Sequence, residues 1–91
     1  QKYCTNTNML EKEIIKKEIT QRNKNLGEYI KIIRVKNKIS THEMAINLDI
    51  TESHYIEYEH GGTSIYADHL ITISKIFNIN INVFLNVYMK N

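Results

Sequence analysis

What the 91-residue chain lacks narrows its class before any motif is considered. It holds one cysteine, Cys4, so no internal disulfide can form, and no Cys/His pair has zinc-finger spacing. Stapled and zinc-folded mini-domains are thereby excluded, and a reducing, cytoplasmic setting is expected. Proline is absent and glycine occurs three times, which leaves no low-complexity linker and no glycine-rich phosphate loop. No run approaches the roughly 18 apolar residues of a membrane span, and the first residues lack the apolar centre of a signal peptide, so no membrane association is expected. From Ile39 to Ser74 there is neither a lysine nor an arginine.

What is present suffices for one compact core, since 42% of the residues are apolar. The formal charge of +2 hides a division. Residues 1–38 carry ten basic and four acidic side chains, a net +6, whereas residues 39–74 carry six acidic side chains and a net −6. Lys75 and Lys90 supply the remainder. A basic front and an acidic middle are the main electrostatic fact of the sequence.

The periodicity is helical throughout, with no strand alternation and no repeat. Residues 1–8 read as a loose polar arm. Asn8, followed three residues later by Glu11, predicts a helix start near Met9. Leu10, Ile14, Ile15 and Ile19 fall toward one side of that helix and call for a covering partner. Fraying is expected at "NKN", residues 23–25, so that residues 1–24 form an arm and amphipathic helix ahead of a domain over 25–91. Asn25 can cap the next helix, in which Leu26, Ile30 and Ile33 form a core face and Asn37 an exit. Tyr29, Ile32 and Val35 make a second stripe, to be covered either by the 9–22 helix or by a second copy of the chain.

Ser40 and Glu43 form a capping box before a short helix over 41–48 with Met44, Ala45 and Leu48 inward. Thr51 caps a helix over 52–60 that Gly61 and Gly62 end. Two short helices joined by a tight turn are the helix-turn-helix unit. Ala67, Leu70, Ile71, Ile73 and Ser74 shape a further helix to about Phe77. Asn78 serves as its exit and Asn80 as the cap of a last helix, whose apolar side holds Val83, Phe84, Val87 and Tyr88.

In the order and spacing of "LGEYIKIIR", "ISTHEMAINLDI", "YIEYEHG" and "HLITISKIFNININVFL", roughly residues 25–85, the chain resembles the lambda-repressor-like (Cro/CI, XRE) helix-turn-helix family. The resemblance implies an all-α, five-helix domain, here with an extra N-terminal helix. It implies a structural ion pair between Arg34 and Glu59, inward positions for Tyr55 and Tyr58, and a turn residue at Asp49, where the family usually has glycine. Asp49 can take the left-handed conformation at modest cost. Thr41 stands where a glutamine often binds a DNA phosphate. Glu52, Ser53, Ile56 and Glu57 fall at the positions that face the major groove, with His54 nearby.

Two functional readings follow. In the first the protein is a DNA-binding transcriptional regulator. Lys36, Lys38 and the lysines of the N-terminal helix supply phosphate contacts, while Ser40, Thr41, Thr51, Glu52, Ser53, His54, Glu57, Thr63 and Ser64 approach the duplex. Regulators of this kind bind double-stranded DNA as dimers on two half-sites, and Phe84, Val87, Tyr88 and Met89 are either the homodimer contact or ordinary core. In the second reading the acidic third helix serves protein recognition, as an antagonist or adaptor of another regulator. No cofactor is expected. His54, Glu57 and His60 repeat at i, i+3, i+6 but lack the ligand number and geometry of a metal site, so His42, His54, His60 and His69 read as surface residues. Protonation of His54 and His60 in mild acid would ease the approach of the acidic helix to DNA. With no base placed beside a nucleophile, an enzyme is not expected.

Overall fold

A computed structural model describes the backbone of residues 2–90 and the side chains of residues 10–90. The elements are α1 (Lys2–Lys36), α2 (Thr41–Leu48), α3 (Glu52–His60), α4 (Ala67–Phe77) and α5 (Ile81–Met89), with no strand among the described residues.

The largest departure from expectation is α1. The arm over 1–8, the start near Met9, the fraying at 23–25 and the cap at Asn25 are all replaced by one helix of 35 residues that runs through the boundary at 24. At 1.5 Å per residue such a helix is about 52 Å long, and the longest dimension of the molecule is 52 Å. The physical reason is that asparagine is only a weak helix breaker, costing about 0.6 kcal/mol relative to alanine, so one tertiary contact can offset it. Asn23 is buried and donates to Ser64 Oγ at 3.2 Å. Asn25 accepts from Gln21 Nε2 at 3.0 Å, one turn earlier. Neither side chain is available to start a new helix. Gly27 is the strongest potential interruption of α1, yet it lies where the end of α3 closes on the rod. A Cβ there would run into the carbonyl oxygens of Tyr58 and Glu59.

A continuous rod cannot fold back on itself, so the 9–22 segment does not cover the stripe of Tyr29, Ile32 and Val35. Tyr29 instead packs edge-on against Phe84 of α5, with ring centroids 5.7 Å apart. Ile32 and Val35 remain 59% and 56% exposed.

The core is drawn from all five helices: Leu26, Ile30 and Ile33 meet Met44, Ala45, Leu48, Tyr55, Tyr58, Leu70, Ile73 and Phe84. Local chemistry fixes the ends of the elements. Ser40 and Glu43 form the reciprocal capping box, and Asp49 ends α2 in the left-handed region at φ 56°. Thr51 caps α3, and Gly61 leaves it at φ 76°. Asn78 exits α4 at φ 54°, and Asn80 caps α5 through the amide of Asn82. At the end of α1 the left-handed residue is Lys38, φ 59°, and not Asn37, whose side chain donates to the Ile33 carbonyl at 2.8 Å. On the last helix Phe84 belongs to the core, Val87 and Tyr88 are half-buried, and Met89 is open.

The closeness of α1 and α3 at Gly27 is testable. Helix propensity alone favours Gly27→Ala by about 1 kcal/mol. Because the added methyl meets backbone and not a movable side chain, the substitution is expected to destabilise the fold by about 1–3 kcal/mol in urea unfolding. An unchanged or raised midpoint would contradict the packing.

Candidate nucleic-acid interface

The helix-turn-helix unit, α2 and α3, is held to α1 by one buried polar cluster. Arg34 Nη2 lies 3.1 Å from Glu59 Oε1, and Arg34 Nε donates to Glu59 Oε2. Arg34 Nη1 also donates to the Ile39 carbonyl at 2.8 Å, which fixes the turn into α2. The Tyr55 hydroxyl donates to the same Glu59 carboxylate in a short bond. The hydrogen bond with Glu59 holds the Arg34 pKa above its ordinary value, although burial acts against it. Burial, followed by the Glu59 carboxylate, pushes the Tyr55 hydroxyl far up. Glu59 is thus consumed by structure.

Several hydroxyls that the sequence suggests for DNA contact are also occupied. Ser40 Oγ accepts from the Glu43 amide at 3.0 Å and Thr51 Oγ1 from the His54 amide at 3.1 Å. Ser64 Oγ accepts from Asn23. Thr41 donates to Glu52 Oε2 at 2.6 Å, tying the start of α2 to the start of α3, and His42 Nδ1 stands 3.9 Å from Glu52 Oε1. Thr41 must therefore exchange that bond to reach a phosphate.

Ser53 is exposed and Ile56 half-buried. His54 is half-buried and tilted against the Tyr58 ring, 4.7 Å between centroids. The Tyr58 hydroxyl is 2.7 Å from His69 Nδ1. Burial raises the Tyr58 pKa. The Glu57 carboxylate lies against Gly62, where a Cβ would strike it. Thr63 is half-buried in the following loop. Among the described residues no three His, Cys, Asp or Glu side chains gather as a metal site, and no helix is long and apolar enough to cross a membrane.

The cations lie along α1. Lys24 and Lys31, with Glu28, border a shallow hollow that closes on Glu59 and His60 at the end of α3. Lys16, Lys17 and Lys24, with Glu13, border the next hollow along the rod. Lys36 and Lys38 are exposed at the turn into α2. Lys17 belongs to the expected 9–22 helix, whereas Lys24 and Lys31 lie beyond it and the sequence assigns them no contact; the fold sets all three along one rod. Their signal was a seven-residue spacing, close to two helical turns, but it pointed to no side until Gly27 placed the end of α3.

Comparison with known proteins agrees with the fold. A family model described as a helix-turn-helix domain matches residues 27–90. The crystal structure of the clp gene regulator ClgR from C. glutamicum is similar with a TM-score of 0.65 and 15% sequence identity, covering 74% of this chain and 87% of that one. At that identity the likeness is one of fold. No curated protein sequence matches.

Two outcomes are expected of the buried cluster. Glu59→Ala or Arg34→Met strands the remaining charge and should cost about 3–5 kcal/mol, while Arg34→Met combined with Glu59→Leu should cost much less, as measured by urea unfolding. Because the Tyr55 pKa is raised on folding, its contribution is complete below the free phenol value near 10 and is lost as pH rises beyond it. Stability should therefore fall above about pH 10, and Tyr55→Phe should make that fall shallower. An unaltered alkaline slope in Tyr55→Phe would contradict the assignment.

Proposed function

Because the chain belongs to the helix-turn-helix domain family, we propose that it binds double-stranded DNA and regulates transcription. The observation that carries this reading is the position of Lys24 and Lys31 beside the end of α3. They supply a cationic flank to a helix-turn-helix unit that has no lysine or arginine of its own. In this reading α3 enters the major groove by its N-terminal turn. Glu52 and Glu57 are acceptors suited to cytosine N4, and Ser53 is the exposed hydroxyl between them. Lys36 and Lys38 meet phosphates at the start of α2, and the lysines of α1 meet those beside the loop with Thr63 and Ser64. The bond from Thr41 holds Glu52 in one orientation, which favours directional contact with a base edge over a diffuse approach.

A second reading, a protein-recognition module, is favoured by one specific observation. The Thr41 hydroxyl, at the family's phosphate position, is turned onto Glu52, so the front of the unit presents carboxylates. A basic partner surface, such as that of another regulator, would fit it.

Titration of the whole chain against mixed-sequence duplex DNA at rising salt separates the two. The DNA reading expects binding at low salt that weakens steeply, the logarithmic slope being about 0.9 per phosphate neutralised. Lys24→Ala and Lys31→Ala should each weaken binding and reduce that slope by about 1, whereas Glu52→Gln should strengthen non-specific binding. Absence of any duplex binding at low salt would leave the protein-recognition reading.

A further inference from the structure

The stretch of α1 over residues 10–20 has no cover among the described residues. Residues 10–20 are exposed without exception, and four of them are large and apolar: Leu10, Ile14, Ile15 and Ile19. In water a helix of this length draws most of its stability from packing an apolar face, and this stretch packs against nothing among the described residues. Further along the same rod, Ile32 and Val35 are also uncovered. Ile14 and Ile32 are separated by eighteen residues, which is five helical turns, so they lie on one face of α1. Between the rod and the end of α5 runs a groove lined by Gln21, Asn25, Tyr29, Ile32 and Val87, with Glu28 and Lys90 also bordering it.

We propose that this groove receives residues 10–19 of a second copy of the chain, in a reciprocal antiparallel pairing of two α1 helices about a two-fold axis at Gln21. The register follows from the apolar positions. With Gln21 at the centre, Leu10 of each copy is level with Ile32 of the other, so both uncovered ends are covered twice by one symmetry operation. A parallel pair would set the bare stalks against each other and leave the groove open.

The charges fit the same arrangement. Glu18 lies between Ile14 on one side and Ile15 and Ile19 on the other as the stalk is viewed along its axis. An acid there requires a cation opposite it. In the register above Glu18 comes within two residues of the level of Arg22 in the second copy. The Nε of Arg22 is buried with no hydrogen-bond partner among the described residues, and its guanidinium stands 5.9 Å from the Tyr88 ring centre. Lys90 adds a second cation at the same groove. Lys17 likewise comes within a turn of Glu28 of the second copy. The like-charge approaches, Lys17 to Lys24 and Glu13 to Glu28 of the second copy, involve exposed side chains, where salt screens them. The apolar ends and the charge register are independent observations, and both fit the same occupant.

The test uses the whole chain. Sedimentation equilibrium is expected to give a dimer, and Ile14→Glu is expected to raise its dissociation constant more than about tenfold while leaving the cooperative unfolding of the core unchanged. Met89→Glu, on the free end of α5, should leave the dimer intact. A monomeric wild type, or loss of the dimer in Met89→Glu but not in Ile14→Glu, would overturn the proposal. In a Cys4→Ser background, Leu10→Cys with Ile32→Cys should oxidise to a covalent dimer, whereas Leu10→Cys alone should not. Ready cross-linking by the single variant would mean a parallel pair and would also overturn it. Glu18→Arg should weaken the dimer, and adding Arg22→Glu should restore it; failure of that rescue removes the charge pairing. None of these readings depends on DNA, so the proposal and the DNA-binding reading can fail separately.

Discussion

The Glu59 carboxylate, shared between Arg34 and Tyr55, is the constraint on which the rest of the molecule depends. One guanidinium reaches α3 through Glu59 and the entrance of α2 through the Ile39 carbonyl, so a single side chain of α1 orients both helices of the unit. A buried pair of this kind adds little over well-packed apolar residues, but its loss is costly. Its value lies in geometry: it fixes where α3 sits along the rod. Because the rod is one helix, the same contact also fixes the row of Lys17, Lys24 and Lys31 relative to α3.

This changes the meaning of the acidic third helix. Three glutamates in nine residues suggest a surface that repels polyanions, yet they are not equivalent. Glu59 is paired inside the fold. Glu52 is held by the Thr41 hydroxyl. Glu57 lies against the Gly62 backbone at the turn out of the helix. The field that an approaching phosphate meets is therefore set by two carboxylates on α3, with the other acids of residues 39–74 farther along the surface, against lysines that lie outside the helix-turn-helix unit in sequence but beside it in space. A count of charges by segment places these groups far apart, whereas the fold sets Lys24 and Lys31 beside the end of α3.

The elements from Ser40 onward were legible because their limits are local chemistry. A serine and a glutamate three residues apart, an aspartate or asparagine able to take positive φ, and a glycine after the last turn each act within a few residues. The inward tyrosines of α3 and the pairing partner of Arg34 were placed by the family resemblance, since 25 residues separate Arg34 from Glu59. The continuity of α1 was not legible. Asn23, Asn25 and Gly27 together suggest a break, and what overrides them is tertiary: a serine 41 residues away and the backbone at the end of α3. The Thr41 to Glu52 bond was hidden for a related reason. It crosses the turn between two helices, and neither residue's type reveals it.

A single long helix also explains how one small chain can carry two surfaces without conflict. The inward side of α1, Leu26, Ile30 and Ile33, closes the core. The side toward α5 bears Tyr29, Ile32 and the groove. The side toward the end of α3 bears Lys24 and Lys31. Lys31 also borders a hollow with Ile32 and Val35, so the proposed self-association and the proposed DNA contact occupy adjoining faces of the same rod, with the lysine row along the edge of the paired helices. Had the helix broken at Asn25, the N-terminal segment could have folded back over Tyr29, Ile32 and Val35, filling the groove and turning its lysines away from α3. The weak cost of two asparagines, offset by one buried contact to Ser64, thus decides whether the basic front of the sequence is available to the acidic middle at all.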